Sequence, residues 1–298
     1  MRGKQNRRRF LQVAGTAAAA SLAGVSGAFG KEGQQSDRDL RRRFEILDPR
    51  FKVRTKKRFE LGVASYTFRK FNLDETLEMT KRVGLKYIAL KSFHLPLESS
   101  EAQIKEVAAK VKDAGLTLYG GGVIYMKDEA SVQQAFDYAK AAGMRVIIGV
   151  AGPELLELVN KKVQQYDIKV AIHNHGPGDK LYPTPAAAYE KIKDLDKRIG
   201  LCNDIGHTMR AGVDPAESAQ RFGDRLLDVH MKDVSAAAAN GRGVEVGRGV
   251  IDIPKFLRTL VKINYSGIVA FEYEKDPESL LPGLAESVGY VRGVLASI

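Results

Sequence analysis

The chain has 298 residues, of which 44% are hydrophobic, and its formal net charge at pH 7 is +11. This is enough for one large core, since a single α/β barrel commonly needs about 250 residues. The single cysteine excludes a disulfide framework and a zinc ribbon, and no stretch in the body of the chain is apolar and long enough to span a bilayer.

The first thirty residues have the features of a secretory signal. Arg7 and Arg8 lie directly before the sequence RFL, and an alanine-rich apolar segment then runs to small residues at 28–30. The Arg-Arg-x-Phe-Leu order resembles a twin-arginine export signal. The alternative is a basic, alanine-rich helical tail. We predict that residues 1–30 are a signal peptide, that the Tat translocase is a partner during export, and that the mature protein is periplasmic or secreted.

The segment after this signal is also basic. Removal of residues 1–30 would take away five Arg or Lys and no acidic residue, so the formal charge would fall from +11 to +6. Part of the remaining charge lies in residues 38–57, and we assign residues 31–58 to a basic leader segment. This stretch matches no motif that reads nucleic acid, so no nucleic-acid partner is expected.

From residue 59 onward the chain alternates strand-like and helix-like segments. Apolar, β-branched runs predict the strands, and apolar residues at three- and four-residue spacing predict the helices between them. The predicted strands cover residues 60–68, 87–93, 116–124, 144–152, 168–175, 199–207, 226–234 and 266–274. Several predicted helices end in glycine just before the next strand, as is common for helix C-termini.

This alternation predicts the fold class. Strands that are continuous apolar runs suit a parallel sheet buried on both faces. Eight strand–helix units fit a closed barrel, whereas an open doubly wound sheet usually stops near six strands. Residues 120–122, three glycines at a strand end, allow close approach of a substrate or a neighbouring backbone. We predict a single-domain (β/α)8 TIM barrel over residues 59–298, with Cys202 buried and inert in strand six.

Chemically active side chains collect at the ends of the last four predicted strands. Four of the five histidines fall in these segments, and the fifth, His94, follows strand two. The residues concerned are His173, Asn174 and His175 in strand five, Asn203, Asp204 and His207 in strand six, His230, Lys232 and Asp233 in strand seven, and Glu272 and Glu274 in strand eight. Active sites of TIM barrels are built from strand ends at this C-terminal face. The sequence therefore predicts a functional site there.

One ligand from each of these strands would hold a divalent metal ion. We predict the set His173, Asp204, His230 and Glu272, in which two imidazoles and two carboxylates suit Mn, Co, Zn or Fe(II) better than Mg. Their charge of −2 balances that of the ion, which offsets the cost of burial. A lone histidine or carboxylate at such a place is more often a hydrogen-bonded or capping group. Four such residues on four successive strands are harder to explain in this way, and they favour the metal site.

Further side chains are predicted to act on a substrate. Glu272, Lys232 and His175 are the candidate catalytic groups. The candidate substrate contacts are Lys91, His94, His207 and Asn174, with Tyr66 and Arg248 as additional pocket residues. Alternatively, His175 and His207 orient metal ligands, and Lys91 is a solvated or packing lysine.

Several segments of the chain together carry a family resemblance. They are HNHG at 173–176, NDIGH at 203–207, HMKD at 230–233, GRGVID at 247–252 and YSGIVAFEYE at 265–274. Over residues 60–298 the chain resembles the xylose isomerase-like sugar phosphate isomerase/epimerase superfamily. The resemblance implies a metal-dependent enzyme with a small-molecule sugar or glycoside substrate, and a homo-oligomer is one option for its assembly.

The resemblance also separates two reactions. In the ketose 3-epimerases, Glu, Asp, His and Glu from strands five to eight hold the metal, and the two glutamates act as acid and base. Asp204, His230 and Glu272 match this set, but strand five offers His173, so one proton carrier of that mechanism is missing. The chain also resembles a secreted subgroup that includes 3-keto-glycoside lyases. We predict an isomerase/epimerase-type enzyme that removes a proton next to a sugar carbonyl. The alternatives are a 3-keto-glycoside lyase and, beyond it, a non-catalytic sugar-binding barrel.

Overall fold

A computed structural model describes residues 59–298, so the predicted signal peptide and basic leader lie outside the described residues. The strands are β1 Glu60–Ala64, β2 Tyr87–Leu90, β3 Thr117–Met126, β4 Val146–Ala151, β5 Lys169–His173, β6 Ile199–Asp204, β7 Leu226–Met231, β8 Asp233–Val234, β9 Gly243–Val244 and β10 Ile268–Phe271. Eight of them close into a parallel barrel in the order β1, β10, β7, β6, β5, β4, β3, β2, and β8 pairs with β9 in a small separate sheet. The predicted (β/α)8 barrel is confirmed.

Helices connect the strands on the outside of the barrel. They are α1 Leu73–Arg82, α2 Glu101–Asp113, α3 Glu129–Ala141, α4 Leu156–Tyr166, α5 Pro185–Ile192, α6 Ile205–Arg210, α7 Pro215–Phe222, α8 Ile253–Lys262 and α9 Leu281–Ala296. Capping boxes at Asn72, Ser100 and Asp128 begin the first three, because each side chain satisfies a backbone N–H that has no partner within its helix. No helix within residues 59–298 is long and apolar enough to cross a membrane.

Period-two alternation positions the site above a narrow barrel interior. Ala171, Cys202, Asp228 and Ala270 are all buried, and each lies two residues before a predicted metal ligand. Alternate residues of a strand share a face, so these side chains and the ligands that follow them point to the same side. Cys202 is fully buried, as predicted, and burial raises the pKa of its thiol.

Seven of the eight predicted strands end earlier than expected, and two of them stop where a helix begins. Strand one stops at Ala64, and Ser65–Phe68 form a 3-10 helix in which the Ser65 hydroxyl accepts a hydrogen bond from the Lys91 backbone at 2.7 Å. Strand six stops at Asp204, whose carboxylate accepts from the His207 backbone N–H at 2.8 Å and caps α6. His207 therefore lies on a short helix rather than on a strand. In both places a side chain offers the backbone an alternative to the sheet ladder.

The glycine run of β3 allows this strand to pack closely against β4. Gly122 has a φ of +151°, and a Cβ there would lie 2.1 Å from the Ile148 carbonyl oxygen. The register between β3 and β4 shifts between Gly121 and Ile124. β3 then continues to Met126 and carries Val123 and Tyr125 toward the mouth of the barrel.

Candidate functional site

The structure brings the four predicted metal ligands together. His173 Nε2 lies 3.1 Å from His230 Nδ1 and 3.5 Å from Asp204 Oδ2. His230 Nδ1 lies 3.2 Å from Glu272 Oε2 and 3.9 Å from Asp204 Oδ2. All four residues are buried. They come from the ends of β5, β6 and β7 and from the position directly after β10, and we call them the cluster.

The spacing of these atoms fits a divalent ion. Nitrogen and oxygen ligands about 2.1 Å from a tetrahedral ion lie about 3.4 Å from one another. The four distances above, from 3.1 to 3.9 Å, bracket that value. Two imidazole nitrogens this close either share a proton or face a common cation. The donor set also has the mixed nitrogen and oxygen chemistry that first-row transition metals bind.

Three of the four cluster residues have protonation states that favour metal binding. Burial lowers the pKa of His173 to about 3, so its imidazole is neutral. Burial opposes the charged form of His230, but the neighbouring Glu272 carboxylate outweighs it and raises the pKa. Burial likewise disfavours ionised Asp204 and Glu272, but the Lys232 ammonium outweighs it and keeps both pKa values well below their usual range. The two carboxylates are therefore ionised ligands.

Lys232 places an ammonium group directly beside the cluster. Its Nζ lies 2.7 Å from Glu272 Oε2 and 3.0 Å from Asp204 Oδ2, and it also pairs with Glu274. It shares the His230 side of its strand, as the alternation predicts. Burial opposes its charge, but the carboxylates, Asp204 first, raise its pKa well above the usual value. Three carboxylates and one ammonium leave a formal charge of −2, which a divalent ion would neutralise.

Asn174 and Asp233 support the site from behind. The Asn174 side chain donates to the Thr208 hydroxyl at 3.1 Å and accepts from the Asp204 backbone N–H at 3.1 Å. It is buried and holds the end of β6, so the predicted substrate contact is corrected to a positioning role. The Asp233 carboxylate accepts hydrogen bonds of 2.9, 3.0 and 3.2 Å from backbone N–H groups of residues 247, 249 and 251. This fixes the loop of the GRGVID segment.

Two other predicted pocket residues lie elsewhere. His94 Nε2 is 3.1 Å from the Thr76 hydroxyl and 2.9 Å from the Phe71 carbonyl oxygen, and the side chain is buried against α1. Arg248 is exposed and pairs with Glu286 of α9, with Nη2 2.8 Å from Oε2. His94 lies in the loop after β2 and Arg248 in the loop between β9 and α8, where alternation no longer sets the direction of a side chain.

A pocket of about 290 Å³ lies beside the cluster, close to the lower end of the usual size range for small-molecule sites. It is lined by Tyr66, Lys91, Val123, Tyr125, His173, His175, His207, Lys232, Glu272 and Glu274. The remaining predicted residues are therefore brought together here. A second, smaller hollow of about 50 Å³ shares four lining residues with it, namely His207, Lys232, Glu272 and Glu274.

The pocket has a second side, which faces the cluster. The barrel has eight strands, and β3 lies four positions from β7, as β2 does from β6. The strands of each pair are therefore on opposite sides of the barrel. Tyr66, Lys91, Val123 and Tyr125 form this side, and we call them the donor wall. The Lys91 ammonium donates to the Val123 carbonyl at 2.8 Å, and burial lowers its pKa. Sequence reasoning missed Tyr125 because the predicted strand stopped at residue 124, although alternation from Val123 indicates it.

A family model for the xylose isomerase-like TIM barrel matches residues 77–293. The chain belongs to this family. Among its relatives, the inosose dehydratase of Geobacillus kaustophilus is 31% identical over an alignment of 137 positions, and the match covers 38% of this chain and 42% of that protein. The chain spans less than half the length of the curated relatives it matches.

Solved structures share the fold of the xylose isomerase-like TIM barrel. The IOLI protein with a zinc atom superposes with a TM-score of 0.66 at 18% identity, covering 80% of this chain and 97% of that one. An L-ribulose 3-epimerase gives a TM-score of 0.64 at 16% identity, covering 80% and 95%. The resemblance inferred from the sequence motifs is confirmed at the level of family and fold.

Proposed function

We propose that the protein is a metal-dependent enzyme that removes the proton next to a carbonyl group of a sugar-like substrate. One observation carries the proposal: four buried ligand atoms converge at one side of a pocket large enough for a sugar. The names of an inosose dehydratase relative and an L-ribulose 3-epimerase neighbour support a polyhydroxylated carbonyl compound as substrate.

The cluster would hold one divalent ion. Mn, Co, Zn or Fe(II) fits its imidazole and carboxylate donors better than Mg, and the IOLI neighbour contains zinc. When bound, such an ion supplies Lewis-acid polarisation of a substrate carbonyl.

We assign removal of the proton to Glu274. Glu272, the predicted base, has Oε2 3.2 Å from His230 Nδ1, and its side chain is 8% exposed, so it serves as a ligand. The Glu274 side chain is 38% exposed and lines the same pocket. Lys232 lies between the two carboxylates and would stabilise negative charge that develops on a substrate oxygen.

Elimination is the step that we favour after removal of the proton. Epimerisation needs a proton acceptor on one face of the substrate and a carbon-directed donor on the other. At the strand-five position His173 directs Nε2 into the cluster, 3.1 Å from His230, and cannot carry a proton while it binds metal. We therefore favour a 3-keto-glycoside lyase, with sugar epimerisation and non-catalytic sugar binding as the alternatives. The dehydratase relative is also named for an elimination.

Deuterium incorporation tests this function. The purified protein is analysed for metal and then incubated in D2O with a panel of free ketoses and 3-keto-glycosides. We expect exchange of the proton next to the carbonyl and release of the aglycone faster than epimerisation. Full metal content without exchange on any substrate would favour the sugar-binding barrel. Fast epimerisation of free ketoses without aglycone release would reject the lyase.

We also propose that the protein is exported through the twin-arginine route. Arg7 and Arg8 precede an alanine-rich apolar segment. Replacement of both by lysine should trap full-length precursor in the cytoplasm, as measured by cell fractionation. A normal amount of mature protein outside the inner membrane would contradict the proposal.

A further inference from the structure

The donor wall contains a tyrosine hydroxyl to which the proposed proton removal gives no role. Tyr125 lies near the end of β3, is 48% exposed and lines the same pocket as Glu272 and Glu274. Because β3 lies opposite β7 in the barrel, a substrate with its oxygen atoms on the cluster presents its other side to Tyr125.

The hydroxyl of Tyr125 is held in place by a neighbouring loop. It is hydrogen bonded to His175 Nε2 at 3.0 Å, and the two rings stack with 27° between their planes. His175 Nδ1 lies 3.8 Å from Asp179 Oδ2. The other Asp179 oxygen accepts from the backbone N–H groups of Leu181 and Tyr182 at 2.8 and 2.7 Å. A phenol fixed in this way is oriented before a substrate arrives, which is a requirement for efficient proton transfer.

The charge and surface around Tyr125 also suit a leaving group. Burial and the Asp179 and Glu272 carboxylates raise the pKa of the Tyr125 hydroxyl, so it keeps its proton until it donates it. The Lys91 ammonium lies 5.8 Å from the centre of the Tyr125 ring. Tyr66 and Val123 line the same side of the pocket and offer apolar surface to an aglycone.

We propose that Tyr125 is the general acid that protonates the oxygen leaving from a keto-glycoside. This rests on the elimination proposed above. The base on the cluster side takes the proton from the carbon next to the carbonyl, and that electron pair forms a carbon–carbon double bond as the adjacent C–O bond breaks. The leaving oxygen takes the Tyr125 hydroxyl proton. The phenolate then takes a proton from water and the base returns one, so the products are an unsaturated keto-sugar and the free alcohol.

A series of leaving groups tests this role. Tyr125→Phe is compared with Tyr66→Phe, a matched control that removes one hydroxyl from the same side of the pocket. One substrate is the 3-keto-glycoside of nitrophenol, which leaves without protonation. The other is the 3-keto-glycoside of a simple alkyl alcohol, which needs a proton in order to leave. For Tyr125→Phe we expect kcat/KM to fall about 100-fold or more on the alkyl substrate, as loss of a general acid does, and only a few-fold on the nitrophenyl substrate. For Tyr66→Phe we expect the same small change on both.

The outcomes separate the two proposals. Equal losses on both substrates for Tyr125→Phe, or no loss, would overturn the role of Tyr125 and leave the elimination standing. Absence of aglycone release by the unmodified protein would overturn the elimination itself, and the role of Tyr125 with it. Elemental analysis of both variants should give the metal content of the unmodified protein. A loss of metal in Tyr125→Phe would mean that the residue acts through the cluster.

Discussion

The cluster and the donor wall face each other across one pocket, but they differ in burial. Asp204 and His230 are 0% and 1% exposed, whereas Tyr125 is 48% exposed. Buried charges must be compensated, and here Lys232 and the proposed ion do so. The donor wall can keep its polar groups in partial contact with solvent. The cluster should therefore tolerate little change, and the donor wall should tune reactivity and substrate choice.

The largest effect is expected from loss of a cluster ligand. His230→Ala removes one of two imidazoles and should lower kcat/KM about 1,000-fold or more, because the proposed electrophile is lost. His94→Ala is a matched control, since His94 is also buried but lies outside the pocket. Steady-state kinetics on a 3-keto-glycoside, with circular dichroism to verify folding, measures both. Comparable activity of His230→Ala and the unmodified protein would mean that the cluster is not catalytic.

Lys232→Met should destabilise the chelator-treated protein by about 3–5 kcal/mol, because the carboxylates of Asp204 and Glu272 would remain buried without their cation. Added divalent metal should restore part of this loss. Lys255→Met is the matched control, since Lys255 pairs with Asp214 at the surface and should contribute about 1 kcal/mol or less. Urea unfolding of both variants, each with chelator and with added metal, measures these four free energies of unfolding. Equal losses for both variants would contradict the compensation of charge in the cluster.

On the donor wall, a smaller effect is expected. Lys91→Met should raise KM about 10-fold, equivalent to about 1.4 kcal/mol, because one ammonium donor to the substrate is lost from a half-exposed surface. Lys127→Met, an exposed lysine just beyond β3, should leave KM unchanged. Initial rates over a range of substrate concentrations give both values. An unchanged KM in Lys91→Met would make Lys91 a packing residue.

The smallest effect on catalysis is expected at His94. His94→Gln should lower the free energy of unfolding by about 1 kcal/mol through weaker hydrogen bonds to Thr76 and Phe71. KM should not change, because the side chain points toward α1. Thermal unfolding and KM are measured on the same preparation. A raised KM with normal stability would restore the substrate contact that the sequence predicts.

The difference between the two sides of the pocket also explains what the sequence could predict. His173 and Asp204 end regular strands of a closed barrel, and His230 lies one residue before the end of another. Period-two alternation sets their direction, so they could be grouped from the sequence. His94 and Arg248 lie in loops, where hydrogen bonds and ion pairs decide the direction. No period in the sequence encodes those contacts.

Two local features of the backbone depart from the predicted strands. Asp204 stops β6 because its carboxylate caps α6, which makes one residue both the end of a strand and the start of a helix. Tyr125 reaches the pocket because β3 shifts its register against β4 and continues to Met126. The cap is a local hydrogen bond between residues three apart, whereas the register shift depends on pairing with β4, which no period in the sequence encodes.

Metal stoichiometry tests the central claim most directly. Elemental analysis is applied to the unmodified protein, to Asp204→Ala and to Asp252→Ala, since both aspartates cap a helix but only Asp204 lies in the cluster. Loss of the cap should cost each variant about 1 kcal/mol, and Asp204→Ala also breaks the buried pair with Lys232, so circular dichroism is used to verify that each variant is folded. We predict one divalent ion per chain in the unmodified protein and in Asp252→Ala, and none in a folded Asp204→Ala. Full metal occupancy in Asp204→Ala would contradict the proposed metal centre.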